Sequence, residues 1–155
     1  MFLAFAGCRA GAPPPPPGSP VSPPAGERLT LSSGEVRLSM VLPPGFTLET
    51  ETAPAFMVFN VWPSEPPGLK RETALGIYIG RLTVAYCPPD APTRPSAFAD
   101  WQVPWRVCDT QLPGQRAREV HLRGEFPVPV HIFVIGSDPG LLDTLQAIAE
   151  TLRRP

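Results

Sequence analysis

Apolar positions along the chain follow two periods, and the clearest change from one to the other lies near the end. Over residues 128 to 135, Val128, Val130, Ile132 and Val134 alternate onto one face of a strand, while Phe133 and Ile135 make the opposite face apolar too. Such a strand must be covered on both sides, so it is read as interior. Gly136 closes it, Ser137 or Asp138 offers an acceptor to the free N–H groups of a following helix, and Pro139 suits a first helical position, where no N–H is needed. Beyond it the period lengthens. Leu141, Leu142, Leu145, Ile148, Ala149 and Leu152 recur at three- and four-residue spacing, with Asp143, Gln146, Glu150 and Arg153 off the stripe. This predicts an amphipathic helix lying on a sheet, with Arg153 and Arg154 in its last turn against the negative end of the dipole.

Upstream the period is mostly two. Residues 28 to 42 alternate as Leu29/Leu31 and then Val36/Leu38/Met40/Leu42 around Ser33-Gly34, the pattern of an antiparallel hairpin with one buried face, and Pro43-Pro44-Gly45 stops it. Residues 55 to 62, AFMVFNVW, are apolar on both faces and suit a central strand. Between 74 and 86 the apolar set is Leu75/Ile77/Ile79 and then Leu82/Val84/Tyr86, which implies a bulge or a turn near Gly80. Residues 96 to 101, SAFADW, predict a short helix capped by Ser96 and interrupted by Pro104. Strands are expected at 105 to 109 and 117 to 123, with a turn at 112 to 115. Strands early and helices sparse predict the α+β class: an antiparallel sheet, a C-terminal helix packed on it and one short additional helix.

Composition changes the picture at the front of the chain. Residues 9 to 26, RAGAPPPPPGSPVSPPAG, hold 8 of the 24 prolines and are read as a proline-rich disordered linker of extended, polyproline-type backbone. One globular domain, 27 to 155, follows it. Ahead of it, residues 1 to 8 read MFLAFAGC, apolar and small up to a cysteine. Phe5-Ala6-Gly7-Cys8 resembles the bacterial lipobox, in which the cysteine is lipidated and becomes the mature N-terminus, although Phe5 stands where leucine is usual. The run is short for a complete signal peptide and lacks a charged start, so residues 1 to 8 are read as the remnant of a truncated lipoprotein signal. The resemblance implies a lipid anchor at Cys8 and a membrane as partner. Arg9, where an aspartate would direct retention, implies the outer membrane. A disordered apolar terminus with a free thiol is the other reading.

If Cys8 carries lipid, Cys87 and Cys108 remain as an even pair, and in an oxidising compartment a bridge between them would stabilise the fold by about 3 kcal/mol through loop closure. Two unpaired thiols in a cytosolic protein is the alternative. The order of the elements, with Leu42 to Phe46 as an LPPGF segment between hairpin and central strands, resembles the PsbP-like fold, whose members include small DcrB-like bacterial lipoproteins and secretion chaperones. That resemblance implies binding and assembly, not catalysis, and carries over no catalytic residue.

Candidate chemistry is thin. A net charge of -1 without any basic run argues against nucleic acid as a partner. No nucleophile elbow, phosphate-binding glycine loop or metal-binding helix motif occurs, so no catalytic residue, cofactor or metal is expected. His121 and His131 would sit opposite each other if their strands pair, but zinc sites usually need a third protein ligand and no Asp, Glu or Cys is seen to supply one; both are read as ordinary surface or strand histidines. Trp62, Trp101 and Trp105 are read first as packing residues, and alternatively as an exposed patch in loops 63 to 72 and 87 to 105 that receives a protein partner. The functional expectation is a lipid-anchored, non-enzymatic envelope protein that binds another protein or an envelope component. Its rivals are a cytosolic secretion chaperone of the same fold and a small enzyme with an unrecognised site.

Overall fold

The computed structural model describes residues 24–65, 73–81 and 84–155. Its first elements, β1 (Glu27–Ser33) and β2 (Val36–Leu42), form a two-stranded antiparallel hairpin. The turn between them is two residues long, and Gly34 opens it at φ 57°, a region costly for any side chain.

The remaining strands make one antiparallel sheet of seven: β3 (Phe46–Ala53), β4 (Phe56–Pro63), β5 (Ala74–Gly80), β6 (Thr93–Arg94), β7 (Trp105–Asp109), β8 (Arg116–Leu122) and β9 (Val130–Gly136). Their order across the sheet is β3-β4-β5-β9-β8-β7-β6. The strand apolar on both faces, β9, is interior, lying between β5 and β8. Helix α1 (Pro139–Ala149) follows it, with the Asp138 carboxylate accepting from the Leu141 N–H at 3.0 Å and Pro139 in the first turn.

The two faces of the sheet have different coverings. On one, Phe59, Val61, Leu75, Ile77, Val120, Val130, Ile132 and Val134 meet Leu142, Leu145 and Ile148 of α1 and Leu31, Leu38 and Met40 of the hairpin in one buried core. At about 1.5–3 kcal/mol for each large side chain, burial far outweighs what 11 residues of isolated helix could supply, so packing holds α1 in place. The hairpin is joined laterally to the segment that follows the helix, since Ser39 and Arg153 exchange backbone hydrogen bonds at 2.8 and 3.0 Å. The opposite face carries Asn60, Trp62, Tyr78, Glu119, His121, His131 and Phe133, by the strict alternation of the paired strands. Residues 84–91 lie over part of it, tied down by the Cys87–Cys108 disulfide with its Cα atoms 5.5 Å apart.

Several expectations are corrected. The class is not α+β but mainly β: the described residues form nine strands and a single helix of 11 residues. The additional short helix at 96–101 does not form. Eight residues between Pro95 and Pro104 are too few to offset the cost of nucleation, and the Ser96 hydroxyl donates to the Val103 carbonyl at 2.6 Å, closing a loop in place of capping a helix. The stripe expected to run helical to about 153 leaves the helix after Ala149, because Arg153 is drawn into the bridge with Ser39; Leu152 is buried all the same. Arg154 therefore caps no helix. Its N–H donates to Asp100 at 2.6 Å and its guanidinium pairs with Glu125 at 2.7 Å. Strand β3 had no counterpart in the sequence reading. As the edge of the sheet it is rich in Thr and Glu and shows little apolar pattern. Beyond Gly80, Val84 is exposed and Tyr86 lies in a bend, not in a strand, while Leu82 lies outside the described residues. Cys8, the signal remnant and most of the linker also lie outside them.

Candidate functional site: a glutamate and two stacked histidines

Pairing of β8 with β9 sets His121 directly opposite His131. The imidazoles stack in parallel, with centroids 4.1 Å apart and planes inclined by 6°. Glu119 precedes His121 by two residues and so shares its face, on the diagonal from His131. Its Oε2 lies 3.0 Å from His131 Nε2, and its Oε1 3.5 Å from His121 Nε2. Side-chain exposure is 0% for Glu119, 3% for His131 and 10% for His121.

A carboxylate this deep must be compensated or it would neutralise itself. The Tyr86 N–H, from the covering loop, donates to Glu119 Oε2 at 2.8 Å. Across from Glu119 on β7, the half-exposed guanidinium of Arg106 stands 3.9 Å from Oε1. Burial pushes the Glu119 carboxyl up, but its contacts with His121, His131 and the Tyr86 N–H together outweigh that and hold it well below the usual carboxylate range. His131 is pushed down, first by burial and further by His121, against the opposing pull of Glu119. Since an ionised carboxylate can only accept, the 3.0 Å contact is a hydrogen bond that His131 donates from Nε2 to Oε2. The second half of the cluster is unsatisfied: Glu119 Oε1 and His121 Nε2 are both buried and make no hydrogen bond.

Two clefts reach the cluster. One of about 310 Å³ is lined by Pro89, Thr93, Pro104 and Arg106 together with Glu119 and His121. The other, about 430 Å³ on the open sheet face, is walled by Trp62, Tyr78, Tyr86 and Phe133 and has His131 on its floor.

The residues singled out from sequence are dispersed. Cys87 and Cys108 are bonded to each other, and Cys87 packs in a small cluster with Ala91 and Ala117. The tryptophans do not form an exposed patch. Trp105 is fully buried and its indole N–H donates to Glu150 at 2.8 Å; Trp101 is buried against Phe98 and Phe126; Trp62 is buried on the open face. His121 and His131 do meet, as strand pairing would require. What the sequence reading missed is Glu119, the carboxylate it did not find for the third position. The available signal was Glu-x-His within a period-two strand, which places both side chains on one face. Comparison with family models, with curated proteins and with solved structures finds no match for this chain, so no role for the cluster can be taken from a relative.

Proposed function

We propose that this chain is a lipid-anchored protein of the bacterial cell envelope, tethered through Cys8, whose β domain serves as a non-enzymatic binding module for a protein or envelope component. The observation that carries the reading is the Cys87–Cys108 disulfide. A bridge of this kind belongs to an oxidising compartment, and it leaves Cys8, in its lipobox-like setting, as the single remaining cysteine. No helix among the described residues is long and apolar enough to cross a bilayer, and on this reading the acyl chains at Cys8 supply the attachment. With Arg9 in place of the aspartate that would direct retention, the likeness to lipoproteins favours the outer membrane. Residues 9 to 26 act as the spacer that holds the domain off the lipid.

Binding is assigned to the open sheet face, because the opposite face is filled by α1 and the hairpin. The 430 Å³ cleft sets aromatic walls beside the polar groups of Glu51, Asn60 and His131 on the face of a sheet, which suits an extended segment of a partner.

The test is metabolic labelling of the protein in its own host with a clickable fatty acid, followed by membrane fractionation and thiol titration. Expected are an acylated membrane form, loss of label and release from the membrane in Cys8→Ser, and no free thiol at Cys87 or Cys108 without reductant. Recovery of soluble cytoplasmic protein that keeps Met1, with no acyl chain and both thiols free, would sink the reading.

A further inference from the structure

Buried polar side chains in proteins are almost always paired, so the two unused atoms of the cluster call for an occupant. Glu119 Oε1 and His121 Nε2 face each other across 3.5 Å, too far for a good hydrogen bond, while Glu119 Oε2 and His131 Nε2 stand 3.0 Å apart alongside. All three residues offer one ligand atom within 4.8 Å of the others. Around a tetrahedral ion with bonds of about 2.0–2.2 Å, neighbouring donor atoms sit roughly 3.3–3.6 Å apart. The separation between Glu119 Oε1 and His121 Nε2 falls in that range and that between Oε2 and His131 Nε2 just below it, so the strands need not rearrange.

We infer that Glu119, His121 and His131 form a binding site for one divalent first-row transition ion, with zinc as its simplest occupant. Two imidazoles and a carboxylate are a borderline donor set, which selects such ions over magnesium or calcium, whose shells are built from oxygen. Three protein ligands leave a fourth position for water or a donor from a bound partner, which the 310 Å³ cleft lined by Glu119 and His121 could admit. Zinc would also answer the charge of the buried carboxylate, which Arg106 meets from no closer than 3.9 Å.

One proton shift and two local movements are required: His131, whose Nε2 proton points at Oε2, must carry that proton on Nδ1 before Nε2 can take the ion. Coordination places the ion in the plane of each imidazole, which two parallel rings 4.1 Å apart cannot both satisfy, so the stack opens into a fan. His121 is the ring that would turn, being the more exposed of the two and bordering the cleft. Arg106, 3.9 Å from Oε1, opposes a cation, and its half-exposed side chain swings outward when one binds. The inference depends on these side chains and not on the lipid anchor, so either can fail without the other.

Isothermal titration of the full chain, free of any affinity tag, with zinc alone tests it, and cobalt in place of zinc reports geometry through its visible absorption. Expected is one ion per chain, with strong tetrahedral-type cobalt bands. Glu119→Gln and His121→Gln should each weaken zinc by more than about a hundredfold, beyond the effect usual for residues that only support a ligand. Arg106→Gln should tighten it severalfold, a gain that a purely structural cluster would not give. The site is overturned if the parent chain takes up no zinc at millimolar concentration, or if it binds zinc with an affinity that His121→Gln and Arg106→Gln leave unchanged. Should Glu119→Gln fail to fold, the His121 and Arg106 variants, which alter less buried side chains, still decide.

Discussion

Gly76 is glycine because Phe133 stands where its side chain would be. The two residues are directly opposed on β5 and β9, and a Cβ at Gly76 would overlap the end of the Phe133 ring. That ring packs 4.9 Å from Tyr86 and 5.2 Å from His131, so the space left at Gly76 lets an aromatic lie flat beside the cluster. Gly76→Ala should therefore destabilise the domain by about 1–3 kcal/mol, the usual cost of overpacking, measured by urea unfolding. The cost belongs to the pair, and in a double-mutant cycle Phe133→Leu should recover part of it. If Gly76→Ala is neutral in both backgrounds, the ring is not confined as described. Glu119 shows the same dependence on register. Its burial is tolerated because a cross-strand histidine, a loop N–H and an arginine converge on it, and none of the three is adjacent to it in the chain.

At the scale of elements, helix α1 rests on its cap and its stripe. Asp138 satisfies one of the free N–H groups of the first turn, through Leu141 N–H, and Asp138→Ala should cost about 1 kcal/mol in a thermal or urea melt, with Asp138→Asn retaining most of the stability. An unchanged melt in Asp138→Ala would show the first turn held by Pro139 and the core alone. Elements were legible in the sequence where one face is buried and the period repeats: the hairpin around Gly34, the interior strand β9 and the start of α1 all announce themselves this way. Edge strand β3 was not, because Glu49, Glu51 and the threonines answer to solvent on both sides and leave no apolar period. Nor was the loop at 96–101, where Phe98 and Trp101 are buried without any regular backbone at all, so that hydrophobicity mimicked a helix. The overestimate of helix that made the class α+β came from that loop and from extending α1 beyond Ala149. Of the candidate site, the opposition of His121 and His131 followed from strand pairing. Glu119 was overlooked because a carboxylate in an interior strand is ordinarily solvent-facing, and only the covering loop makes it otherwise.

For the whole molecule, the asymmetry between the two faces of the sheet decides what the disulfide does. The helix-bearing face is secured by its own core, whereas the segment over the opposite face has few buried residues beyond Cys87 and Ala91 and depends on the bridge to Cys108. A bridge spanning 21 residues restricts the unfolded chain by about 3 kcal/mol, so the double variant Cys87→Ala, Cys108→Ala should lose about that much stability in urea, as should the parent after reduction. The loss should not stop at stability. Tyr86 is the immediate neighbour of Cys87, and its N–H orients Glu119 Oε2 at 2.8 Å; once the staple is cut, that donor is no longer fixed over the carboxylate. Zinc affinity in the double variant should then fall by about tenfold, the scale expected when a group that positions a ligand is released. If stability falls while zinc binding holds, the strands alone position Glu119. If zinc binding falls as expected, the disulfide ties the geometry of the cluster to the redox state of the compartment, and a chain reduced before export would hold the ion only weakly.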